Sequence, residues 1–234
     1  MRMLWTVAAI FLAGTACSTS AAVESSGSGG QRNFAVSGFD RVELAGPYDV
    51  RVSVGGAPSV RAEGDEADLE RLEVRVENGR LLIGSKRGSW SSRGKVIVHV
   101  TVPNLQAAEV AGSGNMDVSP LRTAQFRGGI AGSGNLVLQG LESEAAVFDI
   151  VGSGNVRAVG RTRAVQLDVA GSGTGELEGL QAESAQVSIE GSGDARLNAT
   201  GTAAVNIAGS GNVSVTGGAR CTVDKVGSGS LRCG

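Results

Sequence analysis

The sequence predicts an all-β chain wound as a parallel β-helix, a solenoid of coils about 20 residues long. Three observations carry this. From Gly112 onward the tripeptide Gly-Ser-Gly recurs seven times, with gaps of 20, 20, 19, 20, 18 and 16 residues, and a fixed period near 20 marks stacked structural repeats. On both sides of each tripeptide apolar and polar residues alternate, the pattern of a strand with one buried face. Aromatic residues make up only 3% of the chain. That is too few for a large globular core, but a narrow stack of Val, Ile, Leu and Ala does not need them.

In chain order the first element is an export signal. Arg2 supplies a minimal positive region and Leu4 to Ala13 an apolar stretch of ten residues, too short to span a bilayer and suited to a signal peptide. Two cleavage readings stand. Gly14-Thr15-Ala16 before Cys17 resembles a bacterial lipoprotein box, with Gly14 in place of the usual Leu, and would leave Cys17 lipidated. Ser20-Ala21-Ala22 would suit ordinary signal peptidase. The expected organisation is a signal over 1–22, a flexible tether over 23–33 that includes Ser25 to Gly30, and one domain over 34–234. The expected location is the cell envelope, either anchored at the outer membrane or periplasmic. A lipid on Cys17 would be its only link to a membrane.

Residues 34–103 lack the tripeptide yet are rich in strands. Val50 to Val54, Leu72 to Val76 and Val96 to Val102 alternate. Asp65 to Arg71 is the best candidate for a helix, and it is short. Asn78-Gly79 ahead of Leu81-Leu82-Ile83 is a two-residue hairpin signal. These elements are expected to form irregular coils or hairpins over the solenoid's first end. Between the last two strands, Ser85 to Lys95 holds four cations, Lys86, Arg87, Arg93 and Lys95, with Trp90 and no acid. An exposed aromatic in a basic loop suits a glycan or an anionic lipid. The plainer reading is a solvated loop with Trp90 folded back onto the sheet.

Residues 104–234 hold the repeats. Before each tripeptide, inward columns run through Val110, Ile130, Ile150, Val169, Ile189 and Ile207, and through Phe148, Leu167, Val187, Val205 and Val223. After it they run through Met116, Leu136, Val156 and Val213, then Val118, Leu138, Leu177, Leu197 and Val215. Each coil therefore holds two short strands meeting at a glycine corner, with a third side marked weakly by Leu121, Leu141 and Leu180. The corner glycines are Gly112, Gly114, Gly132, Gly134, Gly152, Gly154, Gly171, Gly173, Gly191, Gly193, Gly209, Gly211, Gly227 and Gly229. A sharp turn between strands calls for positive φ, which glycine adopts without a Cβ clash. Asn115, Asn135, Asn155, Thr174, Asp194, Asn212 and Ser230 follow the corners. At a stacking distance of roughly 4.8 Å these side chains can form an amide ladder. Cys221 and Cys233 form an even pair in an exported chain, both on inward columns of the last coil, and a disulfide there would clasp the end of the core.

Several of these segments together resemble DUF2807 proteins, the family of the auto-transporter adhesin head GIN domain. They are Phe39-Asp40-Arg41-Val42 with Gly46-Pro47-Tyr48-Asp49-Val50, Gly64-Asp65, Asn78-Gly79-Arg80-Leu81, Val100 to Leu105, the Gly-Ser-Gly-Asn repeats, and the ending Cys221 to Gly229 with Cys233. The resemblance spans roughly Phe34 to Gly234. It implies a right-handed β-helix in the cell envelope and carries over no catalytic residue.

The leading functional reading is a non-enzymatic structural or adhesion-type module that presents a repetitive surface to an envelope or surface partner, a glycan among them. The formal net charge of −2 gives no field for a polyanion, so nucleic acid is not an expected partner. The alternative is a polysaccharide lyase or hydrolase. Asp149 and Asp168 share an outward column on adjacent coils, and paired carboxylates could hold Ca²⁺ or do acid–base work. A solvated strand face explains them as well. Arg157, Glu176 and Arg196 form a second outward column that reads as a surface ion-pair ladder. The sole histidine, His99, alternates with Val98 and Val100, which makes it a surface residue and leaves no multi-histidine zinc site. The corner serines lack a base column, so they are not nucleophiles. No cofactor or metal is expected.

Overall fold

The computed structural model describes residues 25–26, 30–86 and 95–234. They form one continuous sheet wound into a β-solenoid of about six turns. The elements in order are β1 (Ser25–Ser26), β2 (Gln31–Phe34), β3 (Arg41–Ala45), β4 (Asp49–Val54), β5 (Ser59–Glu63), α1 (Glu66–Arg71), β6 (Leu72–Glu77), β7 (Arg80–Ser85), β8 (Ile97–Val102), β9 (Ala107–Gly112), β10 (Asn115–Val118), β11 (Leu121–Arg122) and β12 (Gln125–Gly132). They continue with β13 (Asn135–Gly152), β14 (Asn155–Gly171), β15 (Thr174–Gly191), β16 (Asp194–Gly209), β17 (Asn212–Thr216), β18 (Arg220–Gly227) and β19 (Ser230–Cys233).

The repeats stack parallel and in register, so Ile130 pairs with Ile150, Ile150 with Val169, and Val169 with Ile189. These residues are buried, as are the columns after the corner, and all belong to one aliphatic core. From β13 to β16 the two expected strands of each coil are one. The strand continues around the far bend, where its pairing shifts register, between Leu138 and Leu141 for example, and it ends at Gly-Ser-Gly. The far bend absorbs its extra residue as a bulge, which turns a strand without ending its pairing.

The two glycines of a corner have different reasons to be glycine. The first has φ between 114° and 137° in all seven corners, a region that L side chains avoid. The second lacks positive φ, contrary to the expectation, and is buried. Its constraint is space. A Cβ at Gly134 would meet the Gly114 carbonyl oxygen and come within 2.6 Å of Val110 Cγ1. Corners stack this tightly because they hydrogen-bond to one another. Ser133 and Gly134 N–H both donate to Gly112 O, at 2.9 and 3.0 Å, and Asn135 N–H donates to Gly114 O at 3.2 Å.

The first coils interleave. β3 pairs in parallel with β7 on one side and β9 on the other, while β4 pairs likewise with β8 and β10. The chain therefore lays down β3–β4, places β7–β8 outside it, and crosses back to continue the stack from β9. Antiparallel strands then cover the outer edge: β6 on β7, β5 on β8, and β2 on β5. Asn78 (φ 51°) and Gly79 (φ 76°) make the β6–β7 turn with two positive dihedrals, the mirror-type hairpin their sequence signals. Helix α1 is capped by Asp65, whose carboxylate accepts from Ala67 N at 3.0 Å.

At the other end β18 and β19 form the last half-coil, and the Cys221–Cys233 disulfide joins them. Its inward column differs from the rest: Lys225 stands where the preceding coil has Ile207.

Candidate functional site

The outward faces were built one residue per coil, so each row of side chains runs along the solenoid axis. Just before the corner-side strand the chain is small at two successive positions. Ala145, Ala164, Ser184 and Thr202 are paired in register and face out, while Ala146, Val165, Ala185 and Ala203 lie buried beside them. The wall is low there, and a groove of about 640 Å³ runs along five coils, from β13 to β18. One rim carries Val147, Gln166, Gln186, Ala204 and Thr222. Beyond the other rim, Glu144, Arg163, Glu183 and Arg220 border a second depression of about 610 Å³.

Asp149 and Asp168 are register partners, as the spacing demanded, but their carboxylates turn to different neighbours. Arg127 Nη2 donates to Asp149 Oδ2 at 2.6 Å, and Gln166 Nε2 donates to Asp168 Oδ2 at 2.7 Å. Among the described residues no three His, Cys, Asp or Glu side chains converge to hold a metal ion. Arg157 and Arg196 flank Glu176 with nitrogen–oxygen distances of 3.8 and 3.9 Å, ion pairs too long for hydrogen bonds. His99 Nε2 lies 3.1 Å from Glu63 Oε1 on the outward face of β8. That hydrogen bond holds the Glu63 carboxyl below its ordinary value, against a smaller opposing effect of burial.

The corner column is a hydrogen-bonded chain of side chains. Asn155 Nδ2 donates to Asn135 Oδ1 at 2.9 Å, Asn135 to Asn115 at 2.7 Å, and Asn115 to Asp49 Oδ1 at 2.8 Å. Lys95 Nζ closes the chain on Asp49 Oδ2 at 2.7 Å. Burial alone would raise the Asp49 carboxyl, but hydrogen bonds from Lys95 and Asn115 outweigh it and hold it below the ordinary range. The sequence reading missed Asp49 because its coil lacks Gly-Ser-Gly. The signal was there in Gly46-Pro47-Tyr48-Asp49: Gly114 N–H bonds Gly46 O and Asn115 N–H bonds Tyr48 O, as Gly134 and Asn135 bond Gly112 and Gly114 in the next corner. Tyr48 takes the second glycine's place, buried, with its hydroxyl 2.8 Å from Ser85 Oγ.

β7 and β8 form the coil outside β3–β4, and the basic segment joins them in the chain. Lys86 and Lys95 mark its two ends and are exposed. Arg87, Trp90 and Arg93 lie outside the described residues, as does Cys17.

No curated protein matches the chain. Among solved structures it is similar to a protein of Parabacteroides distasonis described as a putative lipid binding protein (23% identity, TM-score 0.73, covering 87% of this chain and 96% of that one). It is also similar to a putative adhesin of Bacteroides fragilis (21% identity, TM-score 0.75, 87% and 95% covered). A third, a putative adhesin of Parabacteroides merdae, gives 18% identity and a TM-score of 0.69 over 87% of this chain and 95% of that one. At such identities the likeness concerns the fold. A family model matches residues 38–219, from the strands before the repeats to the last coils, and on that match the chain belongs to DUF2807, the putative auto-transporter adhesin, head GIN domain family.

Proposed function

We propose that this protein is a non-catalytic module of the cell envelope that binds an extended partner laid along the solenoid axis. The groove over Ala145, Ala164, Ser184 and Thr202 carries the reading, because it runs along the axis over successive coils and is built from one small residue per coil. A linear partner in it meets the same surface every roughly 4.8 Å. The names given to the structural neighbours, adhesin and lipid binding, describe binding and not catalysis. The separate engagement of Asp149 by Arg127 and Asp168 by Gln166 also favours this reading over a lyase or hydrolase. In this picture residues 34–234 act as one domain, 23–33 as its tether, and Cys17, once lipidated, as its anchor. The basic segment from Lys86 to Lys95, with Trp90, offers a second contact.

The test is a comparison of wild type with Ser184→Trp, which fills the groove without touching the core. Both are incubated with isolated envelopes and sedimented. Binding by wild type that is lost in the folded variant supports the reading, whereas equal binding removes the groove from it. Cleavage of acidic polysaccharide by wild type, abolished in Asp149→Asn/Asp168→Asn, would restore the enzyme alternative.

A further inference from the structure

On the segments that follow the glycine corner, one outward row reads Arg157, Glu176, Arg196, Ser214 and Arg232, each paired in register with the next. Arginine thus recurs on every second coil, about 10 Å apart at the usual strand spacing. Glu176 neutralises the interval between the first two. Ser214 occupies the interval between the last two and brings no carboxylate into the row there. Arg232 forms no ion pair among the described residues. The chain's overall charge of −2 hides this sorting, because from Asp194 onward four cationic side chains face only two carboxylates.

A depression of about 370 Å³ lies between Arg196 and Arg232, lined also by Asp194, Asn212, Ser214 and Ser230. Most of its polar rim is already engaged. Asp194 Oδ1 accepts from Asn212 N and Nδ2 at 3.0 and 3.1 Å, and Asn212 Oδ1 accepts from Ser230 Oγ at 2.7 Å. The donors left to a ligand are the Arg232 guanidinium, the Ser214 hydroxyl and an Arg196 guanidinium held only by its 3.9 Å pair to Glu176, and Asp194 is the one carboxylate in the lining. Guanidinium groups only donate, and their fork matches a carboxylate or another oxyanion.

We propose that Arg196, Ser214 and Arg232 form a recognition site for the acidic groups of a linear polysaccharide lying along this row, with Arg157 as the next contact. The arginine interval is about the length of a disaccharide in an extended chain, so a polymer with one acid per two sugars places one on each arginine. An extended peptide repeats same-face side chains every 6–7 Å or so and falls out of step. No aromatic lines the depression, as stacking of single-stranded nucleic acid would require. The strongly exposed valines Val151, Val223 and Val226 lie on segments before the corner, and the one valine on this row, Val137 beyond Arg157, is half-buried, which is little apolar surface for insertion into a lipid. Each exposed arginine is individually weak, and repetition along one chain supplies the affinity. The site is on a different row from the groove and does not depend on it.

The experiment measures binding of hyaluronan oligosaccharides, which carry one carboxylate per disaccharide, by calorimetry at low ionic strength. Wild type binds and weakens with added salt. Arg196→Ala/Arg232→Ala, with an unchanged melting temperature, binds roughly tenfold more weakly or worse. Binding of neutral dextran equal to that of hyaluronan overturns the proposal, as does an unaffected double variant. Glucuronate monomer binding as tightly as the polymer would reduce the site to an adventitious anion site. Vesicles containing phosphatidylglycerol that bind when hyaluronan does not would assign the row to a membrane and overturn it too.

Discussion

A Cβ on Gly154 would collide with the Gly134 carbonyl oxygen and lie 2.6 Å from Ile130 Cγ2. Both obstacles belong to the coil below, and neither can yield without opening the corner hydrogen bonds from Ser153 and Gly154 N–H to Gly132 O. Even alanine, with no β-branch and no dihedral penalty at this position, should therefore destabilise by about 1–3 kcal/mol or more, the range for overpacking a tight interior. Its neighbour is the control. Ser153 is exposed at the same corner, and Ser153→Ala should stay within about 0.5 kcal/mol of wild type. Urea unfolding of the two variants separates a limit set by packing from one set by turn chemistry. If Gly154→Ala is as stable as wild type, the corners are not held by close approach.

The amide ladder is an element of its own, and its charged end makes it sensitive to acid. Asp49 is held as a carboxylate by Lys95 and Asn115, so its folded value lies below the ordinary 3.8. The unfolded chain therefore takes up the proton first as pH falls. The stabilisation is complete above the ordinary value and is lost as pH drops below it toward the folded one. Asp49→Asn keeps an oxygen for Asn115 but loses the Lys95 pair. It should cost up to about 1 kcal/mol at neutral pH, since Lys95 is largely exposed. The difference between variant and wild type should then shrink in acid below about pH 4. A difference that stays constant with pH would mean that Asp49 contributes no charge-dependent stability. Element by element, the sequence was most legible where a residue type repeats. The Val and Ile columns, the Asn row and the Asn78-Gly79 turn all follow from periodicity or turn chemistry. The β3–β4 coil was not legible as a corner, because Tyr48 replaces a glycine and Asp49 an asparagine. Its position between β7–β8 and β9–β10 depends on a chain crossing that no local pattern encodes. The groove was illegible for a similar reason: alanine before a strand reads as core, and only the stacking reveals that one column of small residues faces out.

Across the whole molecule, stacked coils carry a hazard, because each end offers unpaired strand edges to another copy. The first end is covered by antiparallel β2, β5 and β6. On the last coil, among the described residues β18 pairs only with β16 and β19 only with β17, and Val223 and Val226 are 52% and 73% exposed. Two features oppose stacking there. The Cys221–Cys233 disulfide spans the mouth of the core. Lys225, at the register position of buried Ile207, puts an ammonium where the next coil's aliphatic side chain would sit, and its Nζ donates to Gly229 O at 2.9 Å. An inward charge on an edge strand makes further pairing costly, since a docked coil would bury it. Lys225→Ile restores the apolar column and should let copies associate end to end through β18. Sedimentation velocity over a concentration series is the check: the variant should shift to larger species as concentration rises, while wild type under the same conditions keeps its distribution. Lys225→Arg, which preserves the charge, should behave like wild type. If Lys225→Ile leaves the distribution unchanged, the disulfide and the shape of the last coil suffice to end the stack, and Lys225 is not what keeps the edge closed.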